Sequence, residues 1–306
     1  MSGAVERLAD VGYAAGWSLV RHLPEGLARG IFDGVGTVAG SRGGGPDQLR
    51  KNLARVLRCD PAEVPDDLMR EAMRSYARYW REAFRLPSMD MATAASRVCM
   101  PDADQDRFRT ALDKGKGLIF ALPHSGNWDA AGVWLVQNVG EFSTVAERLK
   151  PDTLFERFVR YRESLGFEIF PLSGGQTPPY QQLTARLRSG GVVCLLGERD
   201  LAKHGVPVTF FGEQTRMPAG PAKLAIETGA ALIPVHHWFT GPETSQISCG
   251  EPLDTSGGIE ATTQALADVF ETNIAAHPSD WHMLQPLWEA DWSQSRRRLI
   301  EEGGSQ

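Results

Sequence analysis

The sequence holds little cysteine and no thiol pairs at metal-binding spacing. Its four cysteines stand far apart and form no C-x-x-C pair: Cys59, Cys99, Cys194 and Cys249. A disulfide framework needs a dense set of cysteines, and thiolate metal sites need close pairs. His236 and His237 are neighbours on a predicted strand, so they point to opposite faces and cannot chelate. Because no H-E-x-x-H motif occurs either, we predict no metal and no cofactor.

Long apolar runs and a basic excess are also missing. No stretch approaches the roughly 20 uninterrupted apolar residues that cross a bilayer. Residues 1–23 include Glu6, Arg7, Asp10 and Arg21, which a secretory signal would not carry in its apolar region. The net charge of −6 argues against nucleic acid as a partner. We therefore expect a protein of the cytoplasmic side that can still lie on a membrane surface.

Helical spacing dominates the amino-terminal part of the chain. Apolar residues recur every three or four positions over 3–22, and the pattern suits either a membrane interface or a helix packed on a core. Further helices are predicted over 27–38, 47–58 and 67–86. The last of these carries a stripe of arginines: Arg70, Arg74, Arg78, Arg81 and Arg85. The stripe is typical of a solvated face, and it also suits a surface that binds anionic lipid headgroups.

Short apolar runs and helical segments alternate from residue 117 onward. Strands are predicted over 118–122, 142–146, 167–171, 191–196 and 231–235. Helices are predicted between and after them, over 130–139, 152–165, 180–188, 218–228 and 261–276. This alternation indicates an α/β fold with a central, mostly parallel sheet flanked by helices. We expect one domain over 1–306, with a helical part at 1–90 and an α/β core at 115–290.

The residues best suited to catalysis directly follow the predicted strand at 118–122. The segment Pro123-His124-Ser125-Gly126-Asn127-Trp128-Asp129 joins this strand to a helix, which is where α/β sheets build their sites. We predict that Asp129 folds back onto one ring nitrogen of His124 and leaves the other nitrogen as a general base. Gly126 allows close backbone approach, and amides at 126–128 are expected to hold a developing oxyanion.

The spacing of His124 and Asp129 resembles the H-x4-D motif of the glycerolipid acyltransferase superfamily. The sequence His-Ser-Gly-Asn-Trp-Asp is similar to this motif in the bacterial lipid A biosynthesis (lauroyl/myristoyl) acyltransferase branch of the superfamily. Further matching blocks cover residues 52–53, 79–82, 197–200, 206–212 and 217–221. Residues 79–87, Tyr-Trp-Arg-Glu-Ala-Phe-Arg-Leu-Pro, resemble mycobacterial phosphatidylinositol mannoside acyltransferases. The resemblance extends over about residues 1–290.

This resemblance implies an enzyme that moves palmitate from acyl-CoA to the 6-hydroxyl of a mannose on a phosphatidylinositol mannoside. It also implies a peripheral position on the cytoplasmic face of the plasma membrane. The arginine stripe adds an anionic membrane surface as an expected partner. The acyl chain is expected in an apolar groove between the sheet and the amino-terminal helices. A lipid A-type acceptor, a thioesterase or lipid hydrolase using the same His–Asp pair, and a lipid-binding protein without activity stay open as alternatives.

Candidate roles for other residues follow from the same resemblance. Glu198 matches the catalytic acidic residue of the branch, and we expect it either to orient His124 or to hold the acceptor sugar. Arg199 is expected to pair with Glu198 or to bind a phosphate. The other candidate substrate-binding residues are Asp200, Glu147, Arg148, Arg162, Asn127 and Gly126. For Glu147, Arg148 and Arg162, ordinary salt bridges are the alternative.

Overall fold

The computed structural model describes residues 19–147, 152–200 and 205–303. Its α-helices are α1 (Glu25–Ser41), α2 (Asp47–Leu57), α3 (Asp66–Arg85), α4 (Met91–Ser96), α5 (Asp102–Leu112), α6 (Trp128–Asn138), α7 (Asp152–Glu163), α8 (Pro179–Arg188), α9 (Gly220–Thr228), α10 (Gly258–Ala276) and α11 (Gln294–Gly303). Its β-strands are β1 (Val98–Cys99), β2 (Leu118–Leu122), β3 (Phe142–Ala146), β4 (Phe167–Pro171), β5 (Val192–Leu196), β6 (Val206–Phe210), β7 (Glu213–Met217), β8 (Ala231–Phe239) and β9 (Ser245–Cys249). Most of the helix predicted over 3–22 lies outside the described residues.

A seven-stranded sheet forms the centre of the fold, in the order β1-β9-β8-β2-β5-β3-β4. The strands from β8 to β4 run parallel, whereas β9 runs antiparallel to β8. Strands β6 and β7 form a separate antiparallel pair. The predicted α/β class with a mostly parallel sheet is therefore confirmed.

The central strand β2 is apolar throughout because helices cover both of its faces. All of its residues are buried. Phe120 packs in a cluster with Phe108 of α5 and Trp134 of α6, whereas Ile119 packs on the opposite face with residues of α8, α9 and α10. A parallel strand that is buried on two sides appears in the sequence as a continuous apolar run. This is why the position of β2 could be predicted.

Helix α1 approaches α3 closely because it presents glycines to that helix. A Cβ atom on Gly36 would lie 2.7 Å from Cα of Arg74, and one on Gly40 would lie 2.7 Å from Cα of Arg70. These glycines, which lower the intrinsic helix propensity of α1, are therefore needed for packing. Away from α3, the same helix exposes four large apolar side chains at spacings of four, four and three residues: Leu27, Ile31, Val35 and Val38.

The arginine stripe of α3 does not form an open cationic surface. Arg81 is 1% exposed, and Arg81 and Arg85 both form ion pairs with Glu25, which begins α1. Arg78 bonds Glu82 and two carbonyl oxygens of the β8–β9 connection, while Arg70 and Arg74 also have carboxylate partners. Arg78, Arg81 and Arg85 are therefore covered by α1 and the β8–β9 connection. Arg74 keeps half of its side chain exposed, and binding of anionic headgroups by the stripe stays a prediction.

None of the described helices combines the length and apolar character that crossing a membrane requires.

Candidate active site

A cavity of about 590 Å³ opens at the carboxyl ends of β2, β3 and β5. The residues that follow these strands line it, together with side chains from α6 and α7, and they form its polar part: His124, Asp129, Glu147, Arg162, Arg199 and Asp200. Residues within the same strands line it as well, among them Phe120, Phe142 and Cys194. One cavity therefore joins a cluster of charged and titratable groups to an apolar interior.

His124 is held by Glu198. Its Nδ1 atom lies 2.8 Å from Oε1 of Glu198, and its backbone N–H donates to the same oxygen at 2.6 Å. The register of the sheet explains the pair: Leu122 of β2 lies opposite Leu196 of β5, so the residues two positions further on also meet. The prediction that Asp129 binds the ring is wrong, and of the two roles expected for Glu198 the geometry supports orientation of His124.

The Glu198 carboxylate is fully buried and stays ionised. Burial alone would raise its pKa, but the positive charge that His124 carries when protonated, together with the two hydrogen bonds from that residue, lowers the pKa below its ordinary value. An ionised Glu198 accepts the proton carried by Nδ1, which fixes the tautomer of His124 and leaves a lone pair on Nε2. The pair can therefore act as a general base supported by a buried negative charge.

Asp129 instead anchors a neighbouring ion pair. Its Oδ1 atom accepts a hydrogen bond from Nε of Arg162 at 2.8 Å, and its Oδ2 atom accepts one from the Tyr79 hydroxyl at 3.2 Å. Burial, followed by the negative charge of Asp129, raises the pKa of Tyr79, so its hydroxyl keeps the proton it donates. Asp129 lies in the first turn of α6, and its two partners from α3 and α7 hold it there.

Gly126 and Asn127 shape the loop and do not line the cavity. The Gly126 amide donates to the carbonyl of Asp280, and the Asn127 amide donates to Nδ1 of His237 at 2.6 Å. The Asn127 side chain caps α6 at Ala130 and also binds Glu82. The prediction that Gly126 and Asn127 contact the substrate is therefore wrong. In the described ranges, only the amides of Trp128 and Asp129 within this segment are left without an acceptor.

The remaining predicted residues lie around the polar part of the cavity. Arg199 lies 3.7 Å from Glu147 and so pairs with that carboxylate, whereas pairing with Glu198 was one of the expectations. Burial lowers the pKa of the Arg199 guanidinium. Asp200 is 4% exposed and accepts a hydrogen bond from the amide of Gly205 at 3.2 Å. Arg148 lies outside the described residues.

Sequence reasoning missed the aromatic and imidazole groups beside His124. Trp128 lies 5.4 Å from His124, measured between ring centroids, and His282 lines the same cavity. The amide of His282 donates to the carbonyl of His124 at 2.8 Å. The sequence around Trp281 and His282 does not predict that His282 lies near His124, because the two histidines are far apart along the chain. Over the described residues, no group of three or more metal-binding side chains comes together.

Comparison with known proteins shows the family to which the chain belongs. Residues 5–290 match the family described as bacterial lipid A biosynthesis acyltransferase. A phosphatidylinositol mannoside acyltransferase of Mycolicibacterium smegmatis is 59% identical over 294 residues, which cover 96% of each chain. A protein with the same name from Mycobacterium tuberculosis is 58% identical over 300 residues, 98% of this chain and 94% of the relative. The chain therefore belongs to the bacterial lipid A biosynthesis acyltransferase family, and it is an O-acyltransferase.

Proposed function

We propose that the protein transfers a palmitoyl group from acyl-CoA to the 6-hydroxyl of a mannose on a phosphatidylinositol mannoside. The observation that carries this proposal is the cavity in which the His124–Glu198 pair adjoins an apolar interior. The names of the two mycobacterial relatives support the acceptor. Such a reaction needs no metal and no cofactor beyond the thioester substrate.

The apolar part of the cavity suits a long acyl chain. Phe120 and Cys194 precede the ends of β2 and β5 by two residues, and Phe142 begins β3. Because a strand advances by about 3.3 Å per residue, these side chains lie well below the level of His124. Side chains of α3 and α6, among them Trp80 and Trp134, also line the cavity. Each buried methylene group contributes about 0.8 kcal/mol to binding, so this interior favours a chain over a short acyl group.

The mechanism uses His124 as the base in a ternary complex. Nε2 takes the proton of the sugar hydroxyl as the hydroxyl oxygen attacks the thioester carbonyl carbon, and Glu198 stabilises the imidazolium that forms. The negative charge develops on the carbonyl oxygen, and the unpaired amides of Trp128 and Asp129 at the start of α6 are the groups best suited to bind it. When the C–S bond breaks, the proton on Nε2 passes to the leaving thiolate.

Charged side chains around His124 are suited to the polar parts of both substrates. Arg162 and Arg199 each have a carboxylate partner, Asp129 and Glu147 respectively. Their guanidinium groups line the cavity and can bind sugar hydroxyls or phosphate oxygens. We propose that Glu147 and Asp200 accept hydrogen bonds from the sugar.

The exposed apolar stripe of α1 supports a peripheral position on the cytoplasmic face of the plasma membrane. Leu27, Ile31, Val35 and Val38 are between 46% and 60% exposed and share one side of the helix. A helix of this kind lies in the membrane interface with its apolar side in the lipid. Both the acceptor and the product of the proposed reaction are membrane lipids, so attachment would place the cavity near them.

Purified protein incubated with palmitoyl-CoA and a phosphatidylinositol mannoside tests the proposal. We expect a product heavier by one palmitoyl group, identified by mass spectrometry. Because His124 is the base, His124→Ala is expected to lower kcat by about 10²–10⁴-fold, whereas replacement of the exposed His22 by alanine serves as the matched control. Release of free palmitate at the full rate without acceptor would favour a hydrolase. Acylation of a lipid A precursor in place of the mannoside would contradict the acceptor.

A further inference from the structure

A second histidine, His282, lies beside His124 and takes no part in the mechanism above. It follows the short 3₁₀ helix Pro278–Asp280 and is 7% exposed. Its ring packs against Trp128 and Tyr79, with ring centroids 6.1 and 5.9 Å away, and it lines the same cavity as His124. Polar atoms buried this deeply normally have hydrogen-bond partners.

Hydrogen bonds fix the tautomer of the His282 ring. Its Nε2 atom lies 3.0 Å from Oγ of Ser75, and that hydroxyl donates its own proton to Oδ1 of Asp280 at 2.6 Å. The other oxygen of Asp280 accepts the amide of Phe239 at 2.9 Å, so the carboxylate is held in place. Because Ser75 has only one proton to give, its oxygen accepts from an N–H on Nε2. Nδ1 of His282 therefore carries a lone pair.

That lone pair has no partner. Among the described residues, Nδ1 of His282 is buried and accepts no hydrogen bond. Burial, with a smaller contribution from His124, lowers the pKa of His282 to about 3. The ring is then neutral at any pH at which the enzyme would work, and Nδ1 can only accept. A buried acceptor left unpaired is costly, which indicates that a substrate group completes it.

The Trp128 ring, which packs against His282, carries an unpaired donor. Nε1 of Trp128 is also buried without a partner in the described part of the chain. Of the polar groups on the two substrates, a hydroxyl group has the capacity for both atoms, because it can accept from an indole N–H and donate to an imidazole nitrogen. A thioester carbonyl could satisfy only Trp128, and an amide N–H of the pantetheine arm could satisfy only His282. The pair of atoms therefore favours a hydroxyl group.

We propose that Nδ1 of His282 accepts a hydrogen bond from a ring hydroxyl of the acceptor sugar, other than the hydroxyl that is acylated. The proposal rests on the proposed function, since it assumes a sugar acceptor. His282 would bind and orient the ring, and Ser75 and Asp280 would act through it as positioning residues. Recognition by an unpaired buried acceptor discriminates strongly against a ligand that lacks the donor.

Two substitutions of His282 separate its two nitrogens. In His282→Gln the amide can still donate toward Ser75 but leaves no acceptor near Nδ1, whereas in His282→Asn an amide oxygen remains near the Nδ1 position. We expect kcat/KM for the glycolipid acceptor to fall about tenfold in the first variant and to recover partly in the second. The KM for palmitoyl-CoA should stay at its wild-type value in both. A rise in that KM alone would assign the contact to the pantetheine amide and overturn the proposal.

Acceptor analogues test the same contact without relying on a variant. Each analogue lacks one ring hydroxyl of the mannose. With the wild-type protein, one analogue should lose about tenfold in kcat/KM, and the same analogue should lose nothing further with His282→Gln. The proposal is overturned if removal of no single hydroxyl lowers kcat/KM. It is also overturned if every analogue loses as large a factor in kcat/KM with His282→Gln as it loses with the wild-type protein.

Binding without turnover separates this proposal from the proposed function. If the wild-type protein acylates no mannosylated phosphoinositide, the proposed function fails. Titration of the glycolipid in the absence of thioester still tests the contact with His282. We expect its Kd to be about tenfold larger for His282→Gln than for the wild-type protein. Equal Kd values for the two proteins would exclude the His282 contact whatever the reaction.

Discussion

Glu198 and Asp129 are both buried carboxylates beside His124, but their contacts assign them different tasks. Glu198 holds Nδ1 of His124, whereas Asp129 holds Arg162 and Tyr79. Glu198→Gln removes the negative charge that stabilises the imidazolium. We expect it to lower kcat by about 10²–10⁴-fold with little change in KM. Steady-state kinetics with both substrates measures this.

Asp129→Asn is the matched comparison for Glu198→Gln. It leaves Arg162 without its ionised partner, and Arg162 lines the cavity. We therefore expect a rise in the KM for the acceptor and a lower unfolding midpoint, with a smaller loss in kcat than Glu198→Gln causes. A loss in kcat as large as that of Glu198→Gln, in a folded protein, would argue that Asp129 and not Glu198 supports the base.

Gly126 is required by the packing of the loop that carries His124. Its φ angle is +59°, and a Cβ atom there would lie 2.3 Å from Nδ1 of His237. Gly126→Ala combines a left-handed backbone with a steric clash, so we expect it to lower the free energy of unfolding by about 2–4 kcal/mol. Urea denaturation measures this loss.

Gly212 provides the control for that substitution. It also has a positive φ, +80°, but a Cβ atom there would meet nothing within 4 Å. Gly212→Ala therefore reports the backbone cost alone, about 1–2 kcal/mol. The difference between the two variants measures the contact with His237. Equal losses would show that the loop shifts to accommodate the new methyl group.

Among the elements, helix α1 carries the surface that we propose lies in the membrane. Ile31 is 46% exposed in the apolar stripe, and Ile226 of α9 is 42% exposed outside the stripe. Because Ile31→Asp removes apolar burial from the interface and adds a charge, we expect liposome binding to fall at least tenfold in a flotation assay. Ile226→Asp is the matched control and should bind as the wild-type protein does. Equal binding by the two variants would exclude α1 as the attachment surface.

The sequence pattern predicted the central strand β2 well because both of its faces are buried. The bounds predicted for β2, β3 and β4 are those observed. Strand β9 was missed, and β8 was predicted to end at residue 235 although it continues to Phe239. The residues of β9, Ser-Gln-Ile-Ser-Cys, alternate in burial and include small polar side chains. Such an antiparallel strand lacks the continuous apolar run that marks a buried parallel strand.

The candidate site was predicted where contacts are local and missed where they cross the sheet. The segment from His124 to Asp129 is continuous, so its position after a strand could be read from the sequence. The His124–Glu198 pair depends on the β2–β5 register, and the pairing of Ser75, Asp280 and His282 joins residues more than 200 positions apart. Proximity along the chain favoured Asp129 over Glu198, and the fold reverses that preference.

At the scale of the whole molecule, buried histidines couple stability to pH. Burial lowers the pKa values of His236, His237 and His282 to about 3 each. An unfolded histidine titrates near 6.5, so between about pH 6.5 and 3 these three residues bind more protons in the unfolded chain than in the folded protein. The stabilisation is therefore complete above pH 6.5 and is lost progressively as the pH falls.

His236 isolates one part of this effect, because neither of its ring nitrogens has a hydrogen-bond partner among the described residues. Its ring stacks on Trp238 and His277, with interplanar angles of 22°, and a phenyl ring can keep both contacts. Between pH 7.5 and 5.5 we expect the wild-type protein to lose about 1.4 kcal/mol of unfolding free energy through each of the three buried histidines. In His236→Phe that total loss should be smaller by one such contribution. Urea denaturation at the two pH values measures the difference. An equal loss in His236→Phe and the wild-type protein would show that His236 is protonated in the folded state at pH 5.5.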